Sequence, residues 1–302
     1  MSVFEPFDSF SDIDDILLKL EDEDPGIRQV GVMELAETAS EDAVPHIIGA
    51  LSDPSDDVRL QAARVLQEFD GEAVAAGLAD ALQDASDTVA AAAADSLAEL
   101  KSPEAALPLL PLTTHEKPFV RANALRALKG LRQPEALKPG LAALQDPDPE
   151  VRMQAVGVLG YLQMEEALHA LILAGRDSDI EVRRAAVGAL AFSNSSTVSE
   201  ALIKAISDDA WRVREMAAET IGKLKFADGT DALMSVTEDE YWQVRLQSVR
   251  SLGRLGMARA IPAIVGALEH SISNLRKDAA AALGEIADAG ALPYLEEALG
   301  DP

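Results

Sequence analysis

Apolar residues recur along this chain at helical rather than strand spacing, and the whole helical pattern returns every 31 residues. An aliphatic residue followed by Arg, or the relic of that pair, stands at Ile27-Arg28, Val58-Arg59, Val89-Ala90, Val120-Arg121, Val151-Arg152, Val182-Arg183, Val213-Arg214, Val244-Arg245 and Leu275-Arg276. Four residues later comes a small residue (Gly31, Ala62, Ala93, Ala124, Ala155, Ala186, Ala217, Ser248, Ala279), and eight later Leu or Ile, from Leu35 to Leu283. Those offsets put all three columns on one face of an α-helix, and the small column lets neighbouring helices approach closely. After a polar turn a second apolar set follows, as in Val44, Ile47, Ile48 and Leu51 and again in Ile261, Ile264, Val265 and Leu268. It predicts a second helix, with Pro45, Pro262 and Pro293 near the first turn, where a missing amide hydrogen costs nothing. A fixed period of this length marks stacked repeats, each unable to bury its apolar face alone. The expectation is an all-α solenoid of nine helical hairpins of 31 residues, wound as a right-handed superhelix.

Five residues before the anchor stands Asp22, Asp53, Asp84, Asp146, Asp177, Asp208 or Asp239, with His115 and His270 in the other two repeats. Such an Asp can cap the helix that follows, and a carboxylate column beside an Arg column predicts ion pairs between neighbours. The pattern of Asp, four residues, Val-Arg, then Ala and Leu on one face resembles the short HEAT-like repeats named after the phycobilisome lyases, over about residues 22–300. Deoxyhypusine hydroxylase is also similar in fold, but it carries His-Glu pairs directly after Val-Arg to hold iron. Here those positions are Gln29-Val30, Leu60-Gln61 and Ala122-Asn123, so that iron site is absent. Bilin lyases are similar throughout, yet no residue set here marks chromophore attachment. The resemblance carries fold and repeat type and assigns no cofactor.

Charge sharpens the picture. The net charge is -26, and residues 1–100 hold 24 acids against 4 bases. An acidic N-terminal third has two readings, a solubilising surface or a docking face for a basic protein partner. It argues against nucleic acid and anionic lipid, which need a basic face. There are no cysteines, which removes thiolate metal sites and Cys nucleophiles. Five acids precede Lys19, unlike a secretory signal, and no apolar run nears the roughly 20 residues that span a bilayer. The expected location is the cytoplasm, without membrane insertion.

Irregular repeats point to the candidate sites. Residues 1–21 read as a Phe-containing segment and a capping half-unit, ahead of an array at 22–302. Phe4, Phe7 and Phe10 either fold over that cap or insert into a partner as an acidic-aromatic peptide. The third repeat has Ala90 for Arg, Pro111 deep in its second helix, and His115 for Asp. A joint near 103–118 is one reading and neutral drift the other. His115-Glu116 is the nearest approach to a metal motif, against a His that simply takes the place of Asp. Trp211 and Trp242 stand two residues before successive anchors, with Tyr241 beside the second. They either pack over the next loop or anchor an interface. The second-helix column His46, Gly77, Pro108, Pro139, Ala170, Ala201, Ala232, Ala263 and Tyr294 is mostly small, a surface that suits a partner helix better than a small substrate.

Two function classes follow. One is a non-catalytic interaction scaffold or assembly factor that binds a protein partner through the solenoid surface and the acidic third, alone or beside a paralogous repeat subunit. The other is a lyase or chaperone subunit for bilin or another cofactor on the same repeats.

Overall fold

The structure, a computed structural model, describes residues 13–299. Phe4, Phe7 and Phe10 lie outside the described residues. The described residues are helical, and two compact bodies meet in sequence at Leu162 and Gln163.

The first body opens with the helix Ile13–Leu20, which takes the place of a second helix and caps the array. Ile16 is buried while Leu18 faces out, as the half-unit pattern requires. Its close seat on the first repeat depends on Gly31, where a Cβ would come within 3.0 Å of Leu20 and 3.1 Å of Lys19. The first helices of repeats one to five follow as Pro25–Glu37, Asp56–Val65, Asp87–Ala98, Pro118–Leu131 and Pro149–Leu162. The second body holds Ile180–Ala189, Trp211–Leu224, Trp242–Leu255 and Ser273–Ile286 in the same role. Eight of the nine anchors, from Val58 to Leu275, are buried to within 1%. Ile27 departs from the column at 40% exposed, because the capping helix covers less of the first repeat than a full repeat would. Ser248 in the small column is buried and satisfied by donating to the Leu233 carbonyl at 2.6 Å.

Second helices are no longer than ten residues among the described residues. Val44–Ala50, Ile261–Leu268 and Leu292–Ala298 each carry their Pro in the first turn, and each follows a turn of 3₁₀ helix. Repeat three has no α-helix there. Two 3₁₀ turns, Pro103–Ala106 and Leu110–Thr114, replace it. Pro111 lacks an amide hydrogen and crowds the preceding turn, so the expected kink is realised as a break in the second helix. The segment 103–118 lies within the first body. No described helix is long and apolar enough to cross a membrane.

Candidate partner-binding surface

The loops joining successive repeats are built by the Asp and Arg columns. In the rung between repeats two and three, Arg59 Nε donates to Asp84 Oδ2 at 2.7 Å and Nη2 donates to Oδ1 at 3.0 Å. The remaining Nη1 donates to the Asp53 carbonyl at 2.9 Å, so one guanidinium closes its own loop and grips the next. Asp84 Oδ1 also accepts the Ser86 amide at 2.7 Å, which turns the chain into the following helix. The same geometry recurs at Arg28–Asp53, Arg121–Asp146, Arg183–Asp208 and Arg214–Asp239. The Arg28 hydrogen bonds hold Asp53 below the ordinary carboxylate range against the opposing effect of burial, with the Ser55 amide helping, and Arg59 does the same for Asp84. These carboxylates are structural, as the columns predicted. Helix capping falls instead to a residue two positions later, such as Asp24 for Gly26 and Asp179 for Glu181 and Val182.

Two rungs depart from this arrangement. At repeat three both partners are replaced at once, since Ala90 faces the rung whose acceptor position is His115. Replacing both leaves no unpaired charge behind. His115 Nδ1 accepts the Lys117 amide at 3.1 Å, reproducing the turn that Asp makes elsewhere. Its neighbours Asp84 and Asp146 are held by Arg59 and Arg121, and Glu116 is exposed, with its backbone carbonyl accepting from Arg121. The structure therefore gives His115 a turn-forming role and does not join it to other ligands. Among the described residues no cluster of three His, Cys, Asp or Glu could hold a metal ion.

At the next departure, Arg245 Nη1 lies 2.9 Å from His270 Nε2, while His270 Nδ1 takes the Ile272 amide at 3.1 Å. Both ring nitrogens face N–H donors, although a neutral imidazole has a lone pair on only one. Arg245 Nε, which meets a carboxylate oxygen in the regular rungs, is buried without a partner.

Trp211 lies parallel to Tyr241, with ring centroids 5.5 Å apart at 17°. Arg212 sits over the Trp211 ring at 5.5 Å and Arg214 over the Tyr241 ring at 5.8 Å. Trp211 is thus partly buried in a stack that ties two repeats together, which is the packing alternative. Trp242 takes no part in that stack and is 40% exposed, with Tyr241 beside it at 39%. Ile180, one period before Trp211, is also exposed. The loop edge of the second body therefore exposes large apolar side chains at Ile180 and at Tyr241 and Trp242, on either side of the partly buried Trp211, the kind of patch that marks interaction sites.

On the second-helix face, two grooves of about 380 and 790 Å³ occupy equivalent positions three periods apart. The smaller is lined by Val187, Ala201 and Lys204, the larger by Ala280, Tyr294 and Glu297. Ala201 and Tyr294 belong to the small-residue column read from the sequence, and Tyr294 is exposed. Neither groove gathers a set of convergent catalytic groups.

A family profile described as HEAT repeats matches residues 13–98, 75–139, 107–175, 138–222, 171–239 and 230–302. Comparison with curated proteins returns no significant match. Among solved structures, an engineered protein is similar at 21% identity and a TM-score of 0.51, covering 95% of this chain and 92% of that one. The E. coli protein YibA is similar at 17% identity and a TM-score of 0.52, covering 91% of this chain and 92% of its own. Kap121p bound to Nup53p is similar at 14% identity and a TM-score of 0.64, with 94% of this chain covered but only 38% of Kap121p. At these identities the likeness shows the fold.

Proposed function

The chain belongs to the HEAT-repeat family, and from that premise we propose that it is a non-catalytic scaffold or assembly factor acting in the cytoplasm. It binds a protein partner through the solenoid surface, with the acidic N-terminal third attracting a basic segment of that partner. The observation that carries this reading is the exposed edge of Tyr241 and Trp242, set on rigid first-helix termini while the regular carboxylate columns are consumed in structural pairs. Kap121p, similar in fold, is itself seen bound to Nup53p in one structure and to Ste12p in another. Within the family, the Asp-x₄-Val-Arg pattern favours the phycobilisome-lyase type of repeat, whose members include paired subunits, and a paralogous repeat subunit is one form the partner could take.

The test is affinity capture from the native host's lysate at low and high salt, followed by titration of the purified partner against the wild type and Trp242→Ala. Retention that weakens with salt and an affinity that falls in the variant, with unchanged thermal stability, support the reading. A chain that takes up a tetrapyrrole with a visible spectral change, and retains no protein, would replace it with the cofactor-lyase reading.

A further inference from the structure

A second surface, on the first body, has the opposite electrostatic character. Residues 101–138 hold seven bases and three acids in a chain whose total is strongly negative. Two of these bases converge on one ring of the next helix. Tyr161, near the C-terminal end of Pro149–Leu162, is 50% exposed. Lys129 Nζ lies 5.9 Å from its centroid and the Arg132 guanidinium carbon 5.0 Å.

The arrangement is positioned by the backbone rather than left to chance. Arg132 caps the helix Pro118–Leu131 in the left-handed conformation, with φ of 53°, the cap that Gln163, Lys225 and Ala287 also make at the equivalent place, so what is particular to this repeat is the guanidinium carried there. Gly157, one turn before Tyr161 on the same face, lets the Lys129 stem lie across its helix. A Cβ at that glycine would come within 2.9 Å of Lys129 Cδ. A lysine in a last helical turn complements the helix dipole, but that role needs neither a glycine berth nor an exposed tyrosine. Among the described residues, neither Lys129 nor Arg132 makes an ion pair, whereas Arg126, a turn earlier on the same helix, is paired with Asp95.

We propose that Tyr161, Lys129 and Arg132 form a second docking point, which takes an acidic peptide segment of a protein partner that also carries an aromatic side chain. The two cations pair with its carboxylates, and the half-exposed ring stacks with its aromatic group. This extends the scaffold reading to a surface that shares no residue with the Trp242 edge, so the two can fail separately. The field of the whole chain repels an acidic ligand. Binding of such a ligand is therefore a local property of these residues.

The experiment uses the full chain and a fluorescently labelled peptide of Glu and Asp around one Phe, followed by anisotropy at low ionic strength. The expected result is saturable binding that weakens about tenfold or more in Lys129→Gln/Arg132→Gln, the loss of roughly one charge-assisted contact, and also in Tyr161→Ala. Gly157→Ala, which displaces the Lys129 stem, is expected to weaken it too, while Trp242→Ala leaves it unchanged. Thermal unfolding of each variant verifies that the fold survives, and since Gln replaces the exposed Arg132 and the partly exposed Lys129 the double variant keeps its helices. Absence of saturable binding by the wild type would overturn the proposal, as would equal binding by the double variant. So would a thymidine oligonucleotide that binds through the same residues when the peptide does not, because the patch would then be a nucleic-acid contact.

Discussion

Arg59 and Asp84, 25 residues apart, meet side-on through two hydrogen bonds of 2.7 and 3.0 Å, and the same guanidinium closes its own loop on the Asp53 carbonyl. This is the element from which each regular junction between repeats is made. Its energetic content is measurable by a double-mutant cycle with Arg59→Ala and Asp84→Ala. A coupling of about 1–3 kcal/mol is expected for charge-assisted, partly buried bonds. A coupling near zero would reduce the rung to a surface ion pair.

The same rungs set the acid limit of stability. Asp53 and Asp84 are held below their unfolded values by Arg28 and Arg59. Their contribution is therefore complete above the unfolded value of about 3.9 and lost as pH falls through the lowered folded values. Thermal unfolding followed from neutral pH down to pH ~2 should show stability falling below pH ~4, with the fall blunted in Asp84→Asn.

Much of this is legible in the amino-acid sequence. Columns at offsets of zero, four and eight read out the core because every repeat imposes the same burial on them, and the Asp column announced the pairing because its partners lie one repeat away. Ile27 belongs to the anchor column yet is 40% exposed, since a column cannot show that the terminal repeat has a thinner neighbour. The stack of Trp211 on Tyr241 is not legible in the columns, because Tyr241 stands one position outside the column that holds the two tryptophans. The Tyr161 patch is not legible in the columns because its three members occupy different columns of adjacent repeats, and only Gly157 hints at the close approach.

The irregular rung at Arg245 and His270 should respond to a single change. His270→Asp supplies the carboxylate that the regular rungs have and gives Arg245 Nε an acceptor. The variant is expected to be more stable by about 1 kcal/mol, read as a raised unfolding midpoint in the second body. An unchanged or lowered midpoint would show that the imidazole satisfies the junction as well as a carboxylate does.

Repeat three offers the complementary test of a joint at 103–118, between the acidic arm and the rest of the array. Ala90→Arg alone places a guanidinium at a position 5% exposed, with no carboxylate to meet it, and should destabilise. Ala90→Arg with His115→Asp rebuilds the rung. Hydrogen exchange across 103–118 should be faster than in the flanking repeats of the wild type and slower in the double variant. Uniform protection in the wild type would remove the joint.

Trp211 and Trp242 should separate stability from recognition. Trp211→Ala removes a stacked, partly buried ring and is expected to cost roughly 1–3 kcal/mol. Trp242→Ala removes an exposed one and should leave the unfolding midpoint nearly unchanged.

The most direct test of the scaffold claim is capture from the native host's lysate by wild-type chain and by Tyr241→Ala/Trp242→Ala side by side, at low and high salt, with an absorbance scan of each eluate. The account predicts one protein held by the wild type, released by salt and lost from the variant, in a colourless eluate. Equal retention by both chains, or a coloured chain with no protein bound, would contradict it.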